Sequence, residues 1–365
     1  MWQGKIPWAS GILAAAAISL VQYGATLTQP FEYGDMSGAA SDTALVLGRL
    51  RGGLGLSQIF GPWHPTVYFR PISMLWLVGQ YAVFGEHPFG FRLTNLLLHI
   101  GVLILVALAA WKASKSTATA IIAMLAFAVF GRHRSAVIWV WASAEPLCAL
   151  FYLGAVAALL SANRAWLWSL PLFALALGAK EMAASLPLLV SAWALLLGQR
   201  KRWSAAACIW AVFLAYLAVR FKTLGFLAAG TGHQVPWRES VTVYLAFLAD
   251  PVIALIQAPR TFLFSPWTLI YRPFLVFLLR EAVFWLVVYV FLRQSARLAA
   301  AFFLWKAIAY LPAFRYVIDL TPYNHYFYLP DVGGAMIVGL AVKEVVAFVR
   351  AHWRSWVGME SRGPE

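Results

Sequence analysis

The stretch 93–111, LTNLLLHIGVLILVALAAW, decides the fold class of this chain. It contains no Asp, Glu, Lys or Arg, and its length is close to the roughly 20 residues with which a helix crosses the hydrocarbon core of a bilayer. Ten more apolar runs of this kind occur along the sequence. The eleven runs fall at roughly 8–28, 93–111, 118–131, 136–160, 166–179, 183–198, 204–220, 241–258, 274–292, 298–314 and 327–348. The pattern predicts an all-α polytopic membrane protein with about 10–11 transmembrane helices.

The composition supports the same fold class. Of the 365 residues, 62% are hydrophobic and only 12% are charged, whereas soluble domains carry about 25% charged residues. This balance excludes an ordinary soluble enzyme, and the excess of apolar surface excludes a disordered chain. Cys148 and Cys208 lie in apolar runs without a metal-ligand pattern, so we interpret them as packing residues. We expect a single domain over residues 1–365.

The basic residues predict the orientation. Clusters of Lys and Arg fall between alternate runs, which predicts that both termini face the cytoplasm. These clusters are Lys112 with Lys115, Arg164, 200–202, Arg293 with Arg297, and Lys343 with Arg350 and Arg354. The alternation requires an odd number of crossings between 221 and 293, where two runs are evident. Residues 29–92 then form a first extracytoplasmic loop, whose apolar piece PISMLWLVGQYAVFG is short for a span and predicts an interfacial or re-entrant helix.

The net charge of +14 is larger than this orientation rule explains. Many basic residues remain on the predicted outer side, and most of them are arginines. They are Arg49, Arg51, Arg70, Arg92, Arg132, Arg134, Lys180, Arg220, Lys222, Arg238 and Arg315. Arginine holds phosphate and carboxylate groups bidentately, so the excess predicts an outward-facing site for an anionic ligand, such as a lipid-linked phosphate. The alternative for each residue is that it reaches outer headgroups or pairs with an acidic side chain.

Two acidic positions are candidates for chemistry on this side. Asp35 follows the first run in FEYGDMSG, and Glu145 lies inside the apolar run WVWASAEPLCALFYL. A carboxylate at membrane depth is a functional candidate, and the alternative for Glu145 is a buried ion pair with Arg132 or Arg134. The alternative for Asp35 is a helix cap or a turn residue in a loop.

An ordered series of motifs resembles the membrane glycosyltransferases of the GT-C superfamily. An early loop aspartate is followed by YFRPISMLW and FGEHPFGFRLTNLLLH, and then by FGRHRSAVIWVWASAEPLCALFYL, ALGAKEMAASLPLLV and NHYFYLP. The series runs from about residue 8 to residue 345 and is most similar to the protein O-mannosyltransferase-like group and to transmembrane mannosyltransferases that carry TPR repeats, which this sequence lacks. The resemblance implies a GT-C-type bundle, a polyprenyl-phosphate-sugar donor and an inverting transfer at a site facing the periplasm or exterior.

The resemblance also implies a catalytic aspartate in the first outer loop, where Asp35 matches best and Asp42 or Glu145 is the alternative. Such a base takes the proton of the acceptor hydroxyl as it attacks the anomeric carbon. Cations stabilise the charge that develops on the leaving lipid phosphate. The basic residues available for this role are His64, Arg70, Arg92, Arg132, Arg134, Lys180 and Arg315.

Several other polar residues have two interpretations. The aromatic group before the last run either lines the sugar or phosphate pocket or belongs to an interfacial belt. Its members are Tyr323, His325, Tyr326 and Tyr328. Asn95 and His99 share a helix face, and hydrogen bonds between helices explain them better than a site does. Lys180 and Glu181 either act at the site or pair with each other at the interface.

The sequence limits which cofactor and which partners we expect. No HExxH, DxD or paired-His spacing is present, so no metal is predicted, although a divalent cation is compatible with the sequence. We expect a lipid-linked sugar donor, membrane lipids and an acceptor that is a protein, a glycolipid or a cell-wall polymer, with no nucleic acid. The expected location is a bacterial inner (plasma) membrane. Two other functions stay open, namely a transporter or flippase of an anionic lipid and a non-catalytic GT-C-like scaffold.

Overall fold

A computed structural model describes residues 6–31, 46–61, 68–161, 164–197, 202–225, 236–249, 295–314 and 325–356. Within these ranges the chain contains eleven α-helices of at least 11 residues. They are α1 (Ile6–Tyr23), α2 (Pro71–Phe84), α3 (Pro88–Ser114), α4 (Thr117–Val129), α5 (Ala144–Leu159), α6 (Ser169–Ala179), α7 (Leu186–Leu196), α8 (Arg202–Leu224), α9 (Trp237–Ala249), α10 (Ala296–Tyr310) and α11 (Asp331–Trp356). The all-α class predicted from the sequence is confirmed.

Six helical segments in the described ranges are long and apolar enough to cross a membrane. They are Pro7–Thr26, Pro88–Ser114, Val140–Leu159, Trp203–Leu224, Ala296–Ala313 and Asp331–Trp353. Four shorter apolar segments accompany them, namely Pro71–Phe84, Thr117–Val129, Arg164–Ala179 and Glu181–Leu196. The predicted runs largely coincide with these segments, whereas 241–258 and 274–292 lie partly or wholly outside the described residues. The chain is a polytopic α-helical membrane protein.

Proline marks the start of several helices. Pro71, Pro88 and Pro187 occupy the first two positions of α2, α3 and α7. The amides of a first helical turn have no intrahelical partner, so proline loses no hydrogen bond there and its fixed φ favours the helix. Arg70 immediately precedes α2.

The core of the bundle is formed by α3, α4, α5 and α11, with α1 and α10 packed against it. Small residues allow these helices to approach closely. A Cβ atom at Gly339 of α11 would lie 2.4 Å from the Thr119 carbonyl oxygen of α4, and one at Gly333 would lie 2.6 Å from the Phe302 carbonyl oxygen of α10. Because lipid is as apolar as the helix surfaces, such close van der Waals packing is a main source of helix association in a membrane.

The predicted run 136–160 is broken by two short helical turns before α5 begins. The turns are largely buried, and non-helical backbone at membrane depth needs hydrogen-bond donors from elsewhere in the protein. α3 supplies them, since Arg92 Nη1 donates to the Ile138 carbonyl oxygen at 2.7 Å and Asn95 Nδ2 donates to the Trp139 carbonyl oxygen at 3.3 Å. The break allows α5 to begin near the end of the bundle where the site described below is assembled.

The described parts of the predicted loop 29–92 are fixed against the bundle. At the start of this loop, the Phe31 ring stacks on the Trp141 ring, with the ring centroids 5.5 Å apart. Further along, α2 packs on α6, where Gly178 leaves room for Ile72 because a Cβ atom there would lie 2.6 Å from Ile72 Cγ1. α3 already begins at Pro88, so the last residues of the predicted loop belong to a span.

Candidate charged site

Six titratable side chains meet at one end of the bundle, and we term them the charged cluster. They are Arg70, Glu145, Lys180, Glu181, Arg220 and His325. Five separate parts of the chain contribute them. Arg220 lies within α8, about one turn before its end, and the other five lie at a helix end or in a turn beside one. The cluster is therefore assembled by tertiary packing and has no local sequence motif.

Glu145 and Lys180 form a buried ion pair at the base of the cluster. Lys180 Nζ donates to Glu145 Oε1. The Lys180 side chain is 5% exposed and the Glu145 side chain is 1% exposed. His325 Nε2 lies 3.8 Å from the same carboxylate oxygen. Lys180 Nζ also lies 4.6 Å from the centre of the Tyr326 ring, which is within cation–π distance. Because its charge is paired, Lys180 can be held in a low-dielectric position.

Glu181 bridges two arginines next to this pair. Arg70 Nε and Nη2 lie 2.9 and 2.7 Å from Glu181 Oε2, and Arg220 Nη1 lies 3.4 Å from Glu181 Oε1. The Tyr216 hydroxyl, one helical turn before Arg220, also lies 3.4 Å from Arg220 Nη1. The Arg70 guanidinium is 4.1 Å above the centre of the Tyr68 ring. These contacts fix the orientation of the Arg70 side chain.

The cluster has a buried layer and a more accessible layer. The side chains that are at most 5% exposed are those of Glu145, Lys180 and Arg220. The side chains that are 18–26% exposed are those of Arg70, Glu181 and His325. A ligand that arrives from outside the bundle therefore meets the second layer first.

Burial and neighbouring charges alter the titration of the accessible layer. Burial opposes the charged form of Arg70, but the Glu181 carboxylate outweighs this effect and raises the pKa of Arg70 above its ordinary value. Burial, with the positive charges of Lys180 and Arg70, holds the pKa of His325 well below its ordinary value, so that the imidazole is neutral near pH 7. Burial raises the pKa of the Tyr326 phenol.

The described members of the cluster carry a net positive charge. Arg70, Lys180 and Arg220 are cationic, whereas Glu145 and Glu181 are the carboxylates, which leaves one positive charge while the imidazole is neutral. This balance is the same whether the proton of the buried pair lies on its nitrogen or on its oxygen. A partly exposed, net positive site is suited to an anionic ligand.

The structure brings together five of the site residues predicted from the sequence. They are Arg70, Glu145, Lys180, His325 and Tyr326. The ion-pair partners differ from the expected ones. The described partner of Glu145 is Lys180, where the sequence suggested Arg132 or Arg134, and Lys180 and Glu181 bond to different partners rather than to each other.

Two predicted phosphate ligands have other contacts. Arg92 is 1% exposed and donates to the carbonyl oxygens of Pro30 and Ile138, which indicates an architectural role. Arg134 begins the short helix Arg134–Ile138 and lies close enough to Tyr23 to interact with it electrostatically.

The remaining predicted site residues stay predictions. Asp35, Asp42, His64, Arg315 and Tyr323 lie outside the described residues. Arg132 lies in the turn Gly131–His133.

The interhelical role predicted for Asn95 and His99 is confirmed. Asn95 bonds to the backbone before α5, and His99 Nδ1 shares a 2.7 Å hydrogen bond with the Tyr328 hydroxyl. Tyr328 is 1% exposed and belongs to the core. The aromatic group before α11 thus divides, because Tyr326 contacts the charged cluster whereas Tyr328 joins helices.

Sequence reasoning did not assign the bridging role to Glu181 or place Arg220 and Tyr216 in the site. The Lys-Glu dipeptide in an apolar run was a usable signal, and Tyr216 and Arg220 are four residues apart, which is one helix face. Lys306 was also overlooked. It lies within the apolar segment FFLWKAIAY of α10, is 1% exposed and has its Nζ 4.3 Å from the centre of the Phe247 ring.

Metal binding by the protein alone finds no support in the part of the chain that the structure describes. Across those residues, no group of three or more His, Cys, Asp or Glu side chains could hold a metal ion.

Comparison with known proteins identifies the fold. No protein-family model matches the sequence, and no curated protein matches it. The chain is similar in structure to the archaeal oligosaccharyltransferase AglB from Archaeoglobus fulgidus, solved in complex with an inhibitory peptide and a dolichol-phosphate. The TM-score is 0.55 at 14% identity, and the match covers 100% of this chain and 53% of the archaeal chain. This chain therefore spans about half the length of that GT-C enzyme, and the likeness is one of fold.

Proposed function

We propose that the chain is an inverting glycosyltransferase that moves a sugar from a polyprenyl-phosphate donor to an acceptor on the extracytoplasmic side of the membrane. The observation that carries this proposal is the charged cluster, whose net positive charge is accessible through Arg70 and His325 at the end of a membrane bundle. A lipid-linked ligand would enter from the bilayer, with its phosphate at the interface and its chain beside the helices.

The charge of the cluster suits this donor during the reaction. A polyprenyl-phosphate-linked sugar is a phosphodiester with a single negative charge, whereas the leaving phosphomonoester carries about −1.5 to −2 near neutral pH. Negative charge therefore grows as the bond to the sugar breaks, and a fixed cation binds the transition state more tightly than the donor. Arg70 is suited to this role because Glu181 and Tyr68 orient its guanidinium while part of it stays exposed.

The transfer also needs a base for the acceptor hydroxyl. The hydroxyl oxygen bonds to the anomeric carbon and gives its proton to a carboxylate, while the bond from that carbon to the phosphate oxygen breaks with its electron pair on the phosphate. We assign the base to Asp35, with Asp42 as the alternative. Phe31, four residues before Asp35, is stacked on Trp141 near the start of α5, and a chain of four residues reaches at most about 14 Å.

In this proposal the buried layer positions the accessible one. Glu145 is bonded to Lys180, which lies against the Tyr326 ring, so we assign Glu145 a positioning role and keep it as a reserve base. The predicted contacts Arg132, Arg134, Arg315, His64 and Tyr323 complete the proposed donor site.

The fold likeness supports a lipid-linked donor, because the archaeal enzyme was solved with a dolichol-phosphate. The resemblance of the sequence motifs to mannosyltransferases favours a hexose such as mannose. The cluster lies at the helix ends that the basic residues predict to be outside, which supports an extracytoplasmic site in a bacterial plasma membrane.

An Asp35→Asn variant tests the proposal. Membranes that contain equal amounts of wild-type or variant protein are supplied with polyprenyl-phosphate-linked hexoses labelled in the sugar, and label that leaves the polyprenyl-phosphate donor for any other product is measured. We expect a loss of roughly 10²–10⁴ in transfer, the range of a general base. Glu86→Gln is the matched control, because Glu86 forms an exposed pair with Arg51 elsewhere on the surface.

Full transfer by the Asp35→Asn variant would remove Asp35 from the mechanism. If the wild-type chain transfers no hexose but moves the labelled lipid across liposome membranes, the flippase alternative replaces the glycosyltransferase.

A further inference from the structure

Two adjoining cavities lie at the end of the bundle opposite the charged cluster. The first lies between α5, α7 and α8 and is partly open to the outside. Its lining is apolar throughout and includes Val156, Leu189, Val190 and Ala205. This composition provides a surface for hydrocarbon and no hydrogen-bonding partner for water.

The second cavity continues the first toward the membrane surface. Leu160 and Trp193 line both cavities. Its mouth carries Lys112 and Lys115. Leu160 lies 15 residues after Glu145 of the charged cluster along α5, a distance of about 22 Å along the helix, so this site is separate from the proposed sugar-transfer site.

The two lysines form a cationic rim. Lys112 Nζ donates to the Ser161 hydroxyl at 2.9 Å, and Lys115 is exposed. No acidic side chain is among the described residues that line either cavity. An anion at this rim would therefore meet two positive charges without repulsion from a lining carboxylate.

The backbone at Lys115 is an independent sign of function. Lys115 has a φ of 56°, the one positive φ at a non-glycine position among the described residues, and its N–H donates to the Trp111 carbonyl oxygen at 2.7 Å to end α3. Glycine or asparagine usually occupies this left-handed position, because a Cβ atom is disfavoured there. Strained backbone of this kind is concentrated at functional sites.

We propose that these cavities bind an anionic phospholipid of the cytoplasmic leaflet. One acyl chain lies against the apolar side chains between α5, α7 and α8, and the headgroup phosphate lies between Lys112 and Lys115. A phospholipid fits better than a protein segment, because the apolar cavity opens among membrane-embedded helices and the cationic rim stands at the predicted cytoplasmic surface. This site is distinct from the sugar donor and does not depend on the proposed function.

Native mass spectrometry of the delipidated full chain tests the proposal, with phosphatidylglycerol and phosphatidylcholine of identical acyl chains as probes. We expect wild type to prefer phosphatidylglycerol, and Lys112→Gln/Lys115→Gln to weaken its binding roughly 25-fold, since each lysine near an anionic surface contributes about fivefold. Arg297→Gln/Arg350→Gln is the charge-matched control, because both arginines are exposed at the same predicted side and line neither cavity.

A second variant tests the acyl-chain cavity. Ala205→Phe adds volume at a lining position and is expected to weaken both lipids, whereas the lysine variant weakens only the anionic one. Equal binding of the two lipids by wild type, or unchanged phosphatidylglycerol binding in the lysine variant, would overturn the proposal. If Ala205→Phe does not fold, Val190→Phe replaces it, and unchanged binding in a folded cavity-filling variant would exclude the acyl-chain cavity. Sugar transfer is not a readout, so failure here leaves the glycosyltransferase proposal standing.

Discussion

Two neighbouring polar regions of the bundle satisfy buried polar groups in different ways. The charged cluster joins side chains to side chains and stays partly open at Arg70. The second region, which we term the polar seam, is fully enclosed and bonds largely to backbone. It consists of Arg92, Asn95, His99 and Tyr328, each at most 1% exposed. In the proposed function the first region meets the ligand, whereas the second supplies hydrogen bonds to a broken membrane segment.

The difference separates Arg70 from Arg92, two arginines that the sequence treats alike. Arg92 donates to backbone carbonyls next to the broken segment, and buried backbone groups need such partners. Arg70 bonds to Glu181, which Arg220 also contacts, so Glu181 keeps a partner when Arg70 is replaced. We expect substitutions in the polar seam to reduce stability and those in the accessible layer of the cluster to reduce activity.

The largest expected effect comes from the buried pair at the base of the cluster. Lys180→Met alone leaves the Glu145 carboxylate buried without its described partner, and removing one member of a buried ion pair lowers the free energy of unfolding by about 3–5 kcal/mol. Denaturation by SDS in mixed micelles measures this loss. The double variant Glu145→Leu/Lys180→Met is expected to recover most of it, because apolar residues can replace a buried pair.

The exposed Arg51–Glu86 pair is the control for this experiment. Its members are 58% and 40% exposed, so Arg51→Met is expected to change the unfolding free energy by less than about 1 kcal/mol. Equal losses for Lys180→Met and Arg51→Met would show that the base of the cluster is as open to solvent as the surface pair.

The next largest effects are expected to differ in kind between Arg70 and Arg92, with the first variant losing sugar transfer and the second losing stability. Arg70→Gln is expected to lower sugar transfer roughly 10²–10³-fold, as loss of one transition-state donor does, with little change in unfolding. Arg92→Leu is expected to lower the free energy of unfolding by about 1–3 kcal/mol for each carbonyl left without a donor, while transfer per folded molecule stays within about tenfold of wild type. Transfer by membranes and SDS denaturation of purified protein are measured on the same two variants.

The opposite pattern would reverse the comparison. If Arg92→Leu folds normally and loses transfer, Arg92 is part of the donor site, as the sequence first suggested. If Arg70→Gln keeps full transfer, the net charge of the cluster has no role in the reaction.

The helices could be predicted from the sequence because a bilayer-spanning helix is encoded in consecutive residues. The run 93–111 forms the central part of α3. Asn95 and His99 are four residues apart, and this spacing indicated a shared polar face. The break before α5 was not predicted, because residues 136–142 are uniformly apolar and the hydrogen-bond donors to this segment come from another helix. Periodicity within one segment carries no information on such donors.

Assembly of the charged cluster was only partly predictable for a related reason. Lys180 and Glu145 are 35 residues apart, and Arg70 and Glu181 are 111 residues apart. Orientation rules placed these residues on one side of the membrane, but the choice of partner depends on which helix ends are neighbours. Which helix ends become neighbours depends on packing at contacts such as the one between Gly178 and Ile72. This contact is possible because glycine has no side chain.

The smallest expected effect concerns pH and the accessible layer of the cluster. Because the pKa of His325 is held well below its ordinary value by burial and by Lys180 and Arg70, the folded protein keeps this imidazole neutral in mildly acidic solution. The unfolded chain binds a proton there near pH 6.5, so the contribution of His325 to stability is constant above that pH and falls as the pH is lowered through it. At pH 5.5 the loss is about 1.4 kcal/mol relative to pH 7.5. Subtracting the pH dependence of His325→Gln from that of wild type, both by SDS denaturation, isolates this term from other groups. A difference that rises on acidification would mean that the Glu145 carboxylate, 3.8 Å away, binds a protonated His325, and the accessible layer would then carry a second positive charge.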